Sequence, residues 1–306
     1  GLPDTFFRYG LEEDIEITRA CIEARPPGTM ISVWPAPNNV VYARQDLVRG
    51  AARLARELGT KWHGHCSEAR SDPDRYVEEH GVRPVAWLER EGLLGPEATI
   101  AHGIWLDDAE MEALGRNQVG VAYTPLSHQF LSMGVIRLRD LRRAGAVVGL
   151  GTDGAVCNNR QDMFEVMKQS ILLQRVATLD PTVSSGEEAL ELATREGARY
   201  LGIEAGVLAP GKLADLAVVD LGGAHLRPLH RVVAALAYSA RGSDVAMTIV
   251  GGRVVYEDGA CTLVQEAEVL AEAQARAEDL VERAGMQGLR APWRRVEVSG
   301  AALAGR

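Results

Sequence analysis

The stretch Lys61-Trp62-His63-Gly64-His65-Cys66-Ser67-Glu68 places two histidines two residues apart and a carboxylate just beyond them. Successive side chains of a strand point to opposite faces, so a strand here projects His63 and His65 to one side. Two imidazoles so placed can bind one metal ion together, or one can bind while the other packs beside it. Three more polar residues close apolar runs: His102 in AHGI, Tyr123 in AYTP and Asp153 in GLGTDG. Imidazole and carboxylate are the ligands of catalytic Zn²⁺ or Fe²⁺. Each residue taken alone has a plainer role. A strand-end histidine commonly satisfies a loop, Asp-Gly is a frequent turn pair, and Glu68 by itself would be a solvated carboxylate. At the same end of successive strands, they point jointly to a catalytic site. His80, His128, His225 and His230 fall in loops or helix ends and keep the plainer reading on pattern alone. The chain has no P-loop, no G-x-G-x-x-G fingerprint and no G-x-S-x-G elbow.

The elements that must carry these residues alternate. Strand-like runs at 29–36, 61–66, 99–104, 119–124 and 146–151 are separated by helical patterns near 45–58, 74–92, 107–117 and 135–144, and a helix at 162–178 follows. Strand–helix alternation implies parallel strands under helices, hence an α/β sheet or barrel. In a parallel barrel the chemistry sits at the C-terminal ends of the strands, where these candidates lie. Past residue 184 the pattern changes. SSGEEALELATREGARYLG reads as one helix with a Ser cap and a Gly stop. ADLAVVDL (214–221) and AMTIVGGRVVYEDG (246–259) read as a short antiparallel element with a Gly-Gly turn. Residues 265–285 read as an exposed amphipathic helix.

Among 306 residues, 46% are hydrophobic and 25% charged, with a formal net charge of −9. That balance suits a globular enzyme and weighs against nucleic acid or an anionic membrane as partner. No long apolar run and no leader-like segment is seen, so the expected location is cytoplasmic. Four scattered cysteines without a C-x-x-C pair suit free thiols in a reducing compartment.

HGHCSE, TIAHGIWL and GLGTDGAVCNN together resemble the amidohydrolase superfamily, in its branch of aminohydrolases acting on aromatic heterocycles, which includes guanine, 8-oxoguanine and S-adenosylhomocysteine deaminases and s-triazine hydrolases. GVLAPGKLADLAVVDL and IVGGRVVYEDG resemble the closing β-sandwich strands of that family. The resemblance implies the C-terminal part, about five strands, of a TIM-type (β/α)8 barrel plus part of a small β-sandwich. Residues 1–184 would hold barrel strands four to eight, 185–212 a connecting helix, 213–262 sandwich strands and 263–306 a C-terminal helix and tail.

It also implies roles. His65 would be the metal ligand of the pair and His63 a packing residue. Glu68 would shuttle protons, His102 would hold the reacting group, and Asp153 would bind one divalent ion, zinc or alternatively iron, and take the proton of its water. Hydroxide would then attack a ring carbon bearing an amino group, or another leaving group such as halide, in a purine, pterin or s-triazine type of substrate.

The chain departs from the family in two places. The first-strand H-x-H that supplies two metal ligands is absent, the chain opens Gly-Leu-Pro-Asp, and its first methionine is Met30. A companion chain or N-terminal fragment is therefore expected to supply barrel strands one to three, the completed unit forming a homo-oligomer. Tyr123 and His128 stand where the family has His and Asn; they and Trp34 are the expected substrate contacts. A non-catalytic or regulatory subunit of the same fold is the alternative, against which the joint retention of His65, Glu68, His102 and Asp153 weighs.

Overall fold

A computed structural model describes residues 10–26 and 28–291. Helices α1 (Leu11–Glu23) and α2 (Gln45–Glu57) precede strand β1 (Trp62–Cys66). There follow α3 (Asp72–His80), α4 (Pro84–Arg90), β2 (Ala98–His102), α5 (Asp108–Arg116), β3 (Gly120–Tyr123), α6 (Pro125–Phe130), α7 (Leu138–Ala144) and β4 (Val147–Leu150). The four strands form one parallel sheet in the order β1-β2-β3-β4. The α/β class is as expected.

Register fixes the two faces of this sheet. His65, Ala101, Ala122 and Gly149 lie in one row across it, and His63, Thr99 and Gly120 in the row below. Strand alternation turns both rows to the same face. The opposite face carries Trp62, Ile100, Val121 and Val148, all buried under the helices in one continuous core.

TMISVWPA does not form a fifth strand. Residues 31–37 carry no regular secondary structure, and only the isolated bridge Asn39–His65 is ladder-like. His63 N donates to Pro35 O at 3.0 Å, but the next bond, His65 N to Asn38 O at 2.7 Å, has slipped by one residue. Pro35 and Pro37 bring no N–H, so the segment can accept bonds from β1 but cannot return them in register. The helix expected over 74–92 is two helices, parted at Gly81 with its left-handed φ of 70° and restarted by Pro84. α6 was not foreseen; Pro125 opens it directly after β3.

Downstream lie α8 (Met163–Thr178), α9 (Gly186–Ala193) and α10 (Arg195–Leu201), the last two broken at Thr194 where one helix was expected. α10 lies across the inward face. A Cβ on Gly120 would sit 2.8 Å from the Tyr200 ring, and one on Gly149 only 3.2 Å from Gly197 Cα. Bare glycines are what let this helix approach the strands so closely.

β5 (Leu216–Val219), α11 (Val232–Tyr238), β6 (Val245–Val250), β7 (Arg253–Glu257), β8 (Ala260–Cys261) and α12 (Glu266–Arg283) complete the described chain. β5 to β8 form a separate antiparallel sheet. β6 and β7 turn at Gly251 and Gly252, both at positive φ, the hairpin that Gly-Gly predicts. No helix among the described residues is long and apolar enough to cross a membrane.

Candidate active site

Four sequence candidates converge at the C-terminal ends of the parallel strands. Among the described residues, His65, Glu68 and His102 form one group whose potential ligand atoms all lie within 4.8 Å of one another. His65 reaches it by simple alternation from β1. Its Nδ1 donates to the carbonyl of Asn38 at 2.6 Å, which leaves Nε2 as the free lone pair. His102 gets there differently. It pairs in register with Cys66, so continued alternation would send it to the helix side. Its backbone instead turns left-handed at φ 72°, bringing its ring within 5.1 Å of the His65 ring, centroid to centroid. Ser67 (φ 50°) and Asp153 (φ 62°) make the same turn after β1 and β4. Three non-glycine residues in this sparsely occupied region thus lie at one end of one sheet.

Glu68 is held by its own loop. The buried carboxylate of Asp72 accepts the backbone N–H of Glu68 at 3.0 Å and of Ala69 at 2.9 Å, and the Tyr42 hydroxyl at 2.8 Å. Glu68 Oε1 then lies 3.5 Å from His102 Nε2. Burial pushes the Glu68 carboxyl above the usual carboxylate range; the nearby His65 opposes this and Asp153 adds to it.

Asp153 stands beside this group and is not one of the three. Its Oδ1 accepts its neighbour's Gly154 N–H at 2.7 Å, and its carbonyl accepts Gln161 Nε2 at 2.9 Å. Its charge reaches the cluster all the same, opposing the depression of the His63, His102 and His128 pKa values.

Of the three expected substrate contacts, only His128 touches this group, and it does so from behind His102. Tyr123 is fully buried, because alternation along β3 turns Ala122 inward and Tyr123 to the helix side, where its hydroxyl accepts Gln174 Nε2 at 3.3 Å. His128 is buried on α6 behind His102, 3.1 Å from its Nδ1. Trp34 lines a cavity of about 620 Å³ with Arg56, Lys61 and Glu97. Those residues precede β1 and β2, so this cavity opens at the other end of the strands. His63 sits one row below His65 with its Nδ1 3.0 Å from Thr99 Oγ1 and 3.1 Å from the Tyr200 hydroxyl, a packing position.

Sequence reasoning missed Asn38, Asp72, Thr124 and Gln161, each of which fixes a candidate rather than reacting. Only Asp72 left a sequence signal, the acidic Asp-Pro that starts a helix four residues after Glu68.

Burial lowers the His102 pKa to about 4 and the His128 pKa to about 3, with the charge of a neighbouring histidine adding to each. Both are neutral imidazoles in the folded protein and would titrate near pH 6.5 when unfolded. A depressed folded pKa confers stability that is complete above the unfolded value and is lost as pH falls through the folded one. The metal-free protein should therefore lose stability between about pH 6.5 and pH 4, at roughly 1.4 kcal/mol per pH unit for each imidazole. Urea midpoints taken across that window check this, and a flat profile would refute it.

The sequence model of the amidohydrolase family matches residues 11–255. The chain belongs to the amidohydrolase family. Its relatives within the family include the 5-methylthioadenosine/S-adenosylhomocysteine deaminase of Haloarcula marismortui, 35% identical over 285 residues, covering 93% of this chain and 66% of that one. The 5'-deoxyadenosine deaminase of Methanothermobacter thermautotrophicus is 38% identical over 250 residues, covering 82% and 58%. Among solved amidohydrolase structures, an adenosine deaminase from Xanthomonas campestris with bound zinc superposes with a TM-score of 0.84 at 27% identity, covering 88% of this chain and 62% of that one. An atrazine chlorohydrolase from Arthrobacter aurescens, complexed with zinc, gives 0.83 at 24% identity and shares the fold, covering 90% and 62%. The chain thus spans about three fifths of the length of these relatives.

Proposed function

We propose that this chain carries the proton-transfer part of a zinc-dependent deaminase acting on an adenosine-like heterocycle. The observation that carries this reading is the meeting of Glu68 Oε1 and His102 Nε2, 3.5 Å apart, beside His65 at the ends of adjacent parallel strands. The deaminases named above, whose substrates all carry an adenosine, support the substrate class. We take the parallel sheet as part of a (β/α)8 barrel, with its other strands and the remaining metal ligands supplied by a preceding segment or a companion chain.

The donor set fits zinc: a histidine whose Nδ1 is held by a carbonyl, with a second histidine and the Glu68 carboxylate within 4.8 Å. His65 Nε2 and the Asp153 carboxylate are the assigned ligands. Zinc held there would lower the pKa of water to about 7 and so supply hydroxide at neutral pH. Asp153 takes the proton released, on a carboxylate whose Oδ1 already accepts Gly154 N–H. Glu68, whose carboxyl burial pushes up, then relays that proton to the ring nitrogen. The proton left on the attacking hydroxyl, relayed by the same carboxylate to the leaving amine as the carbonyl forms, lets ammonia depart in place of amide ion. His102 Nε2 faces the same space and hydrogen-bonds the reacting group.

Ammonia release from adenosine, 5'-deoxyadenosine and other amino-heterocycles, measured on the native protein with any associated polypeptide, tests the proposal. Release should depend on zinc and stop on chelation, and Asp153→Asn should lower the zinc content. Zinc-loaded protein that releases no ammonia from any of these compounds would end the proposal.

A further inference from the structure

We propose that His128 is a positioning residue that fixes the His102 proton on Nε2, the nitrogen facing Glu68. The inference rests on the deaminase reading only for the use made of that proton. His102 Nδ1 lies 3.1 Å from His128 Nε2, and Thr124 Oγ1 is 3.1 Å from the first and 3.0 Å from the second. Both rings are buried, each 1% exposed, and their facing nitrogens lie at hydrogen-bond distance, so only one of those two atoms can carry a proton. A hydrogen bond between two neutral imidazoles needs one N–H and one lone pair, so only two arrangements exist.

In the first, His102 Nδ1–H donates to His128. His102 Nε2 is then a lone pair directed at the Glu68 carboxylate 3.5 Å away. The His128 proton falls on Nδ1, a buried atom with no hydrogen-bond partner. In the second, His128 Nε2–H donates to His102 Nδ1. His102 presents Nε2–H to Glu68, and the unpartnered buried atom of His128 is a bare lone pair. A carboxylate attracts an N–H and repels a lone pair. Orphaned buried N–H groups are also rarer than under-satisfied acceptors. Both considerations select the second arrangement. Thr124 accommodates it, since Ser127 Oγ donates toward Thr124 O and Oγ1, each at 3.0 Å, and leaves the threonine hydroxyl proton free for the imidazole pair.

His128 therefore acts through His102. It reaches no solvent and no open face of the site, being 1% exposed. Its task is to keep His102 a donor toward the reacting group at neutral pH and to hold the ring in place.

Long-range ¹H–¹⁵N spectra of the full chain, labelled with ¹⁵N-histidine at neutral pH, test this directly. Both His102 and His128 should be protonated at Nε2, with a coupling across the bond from His128 Nε2 to His102 Nδ1. A proton on His102 Nδ1, or no coupling between the rings, overturns the proposal. Kinetics supply a second arm. His128→Gln, whose amide N–H can stand near the original Nε2–H, should keep kcat within about threefold, while His128→Leu lowers it about tenfold or more with KM little changed. Equal losses in the two variants, or a loss confined to KM, overturn the positioning role. If the expected proton arrangement is seen in a protein that releases no ammonia, the inference stands and the deaminase reading falls.

Discussion

Glu68→Gln should slow ammonia release by about 10²- to 10⁴-fold, the usual worth of a positioned proton-transfer group. Glutamine keeps the shape of the side chain and can still accept a hydrogen bond from His102 Nε2, so the geometry of the cluster survives. It cannot gain and lose a proton at neutral pH. The loss should appear in kcat, because the proton is needed in the transition state rather than for binding. Zinc content should be unchanged, since the assigned ligands are His65 and Asp153. A variant that keeps more than about a third of wild-type kcat would remove Glu68 from the mechanism. One that loses zinc in parallel with activity would make Glu68 a ligand, which its place within 4.8 Å of the His65 and His102 ligand atoms allows geometrically.

Arg83→Met should destabilise the protein by about 3–5 kcal/mol, the cost of leaving a buried charge without its partner. Glu110 is 1% exposed and accepts Arg83 Nε at 2.9 Å and Nη2 at 2.7 Å, together with the backbone N–H groups of Val85 and Asp107. The same guanidinium donates to the carbonyl of Trp105, three residues after His102. One ion pair therefore ties the start of α4 and the cap of α5 to the loop behind the site. Burial already pushes the Glu110 carboxyl up, and Arg83 pulls it back. Without the arginine its folded pKa rises further. A raised folded pKa gives stability that is present below the unfolded value and lost as pH climbs through the folded one. The deficit of the variant against wild type should thus be largest at neutral pH and shrink on acidification toward pH 4–5. Paired urea melts at the two pH values measure it; a deficit independent of pH would show that Glu110 carries no uncompensated charge.

The parts legible in the sequence were those governed by short-range periodicity. β1 to β4 and the glycine hairpin follow from apolar runs and turn residues, and the shared inward turn of His63 and His65 follows from strand alternation alone. Period-two reasoning failed at strand ends. Tyr123 obeys it and is turned away from the site, whereas His102 escapes it through a left-handed backbone that no local pattern signals. TMISVWPA has the composition of a strand, but Pro35 within it and Pro37 just after it remove the donors that a ladder requires. The surroundings of Trp34 and His128 were not legible because distant segments set them, the opposite end of the strands for one and α6 behind His102 for the other. The carbonyl of Asn38 and the carboxylate of Asp72 hold His65 and Glu68 by contacts between elements, which spacing along the chain does not encode.

The contact between Tyr200 and His63 joins residues 137 positions apart. During synthesis, at about 5–20 residues per second, the helix that floors the inward face emerges some 7–27 s after the histidine it will cover. Through that interval His63, Thr99 and the glycine-rich rows above them have no cover from α10, and the imidazoles are open to any soft metal ion or exposed strand in the cell. The order in which the chain is made leaves the future site chemically competent before it is enclosed, so a delay before residue 200 should raise mismetallation and aggregation of nascent chains more than a delay placed after it.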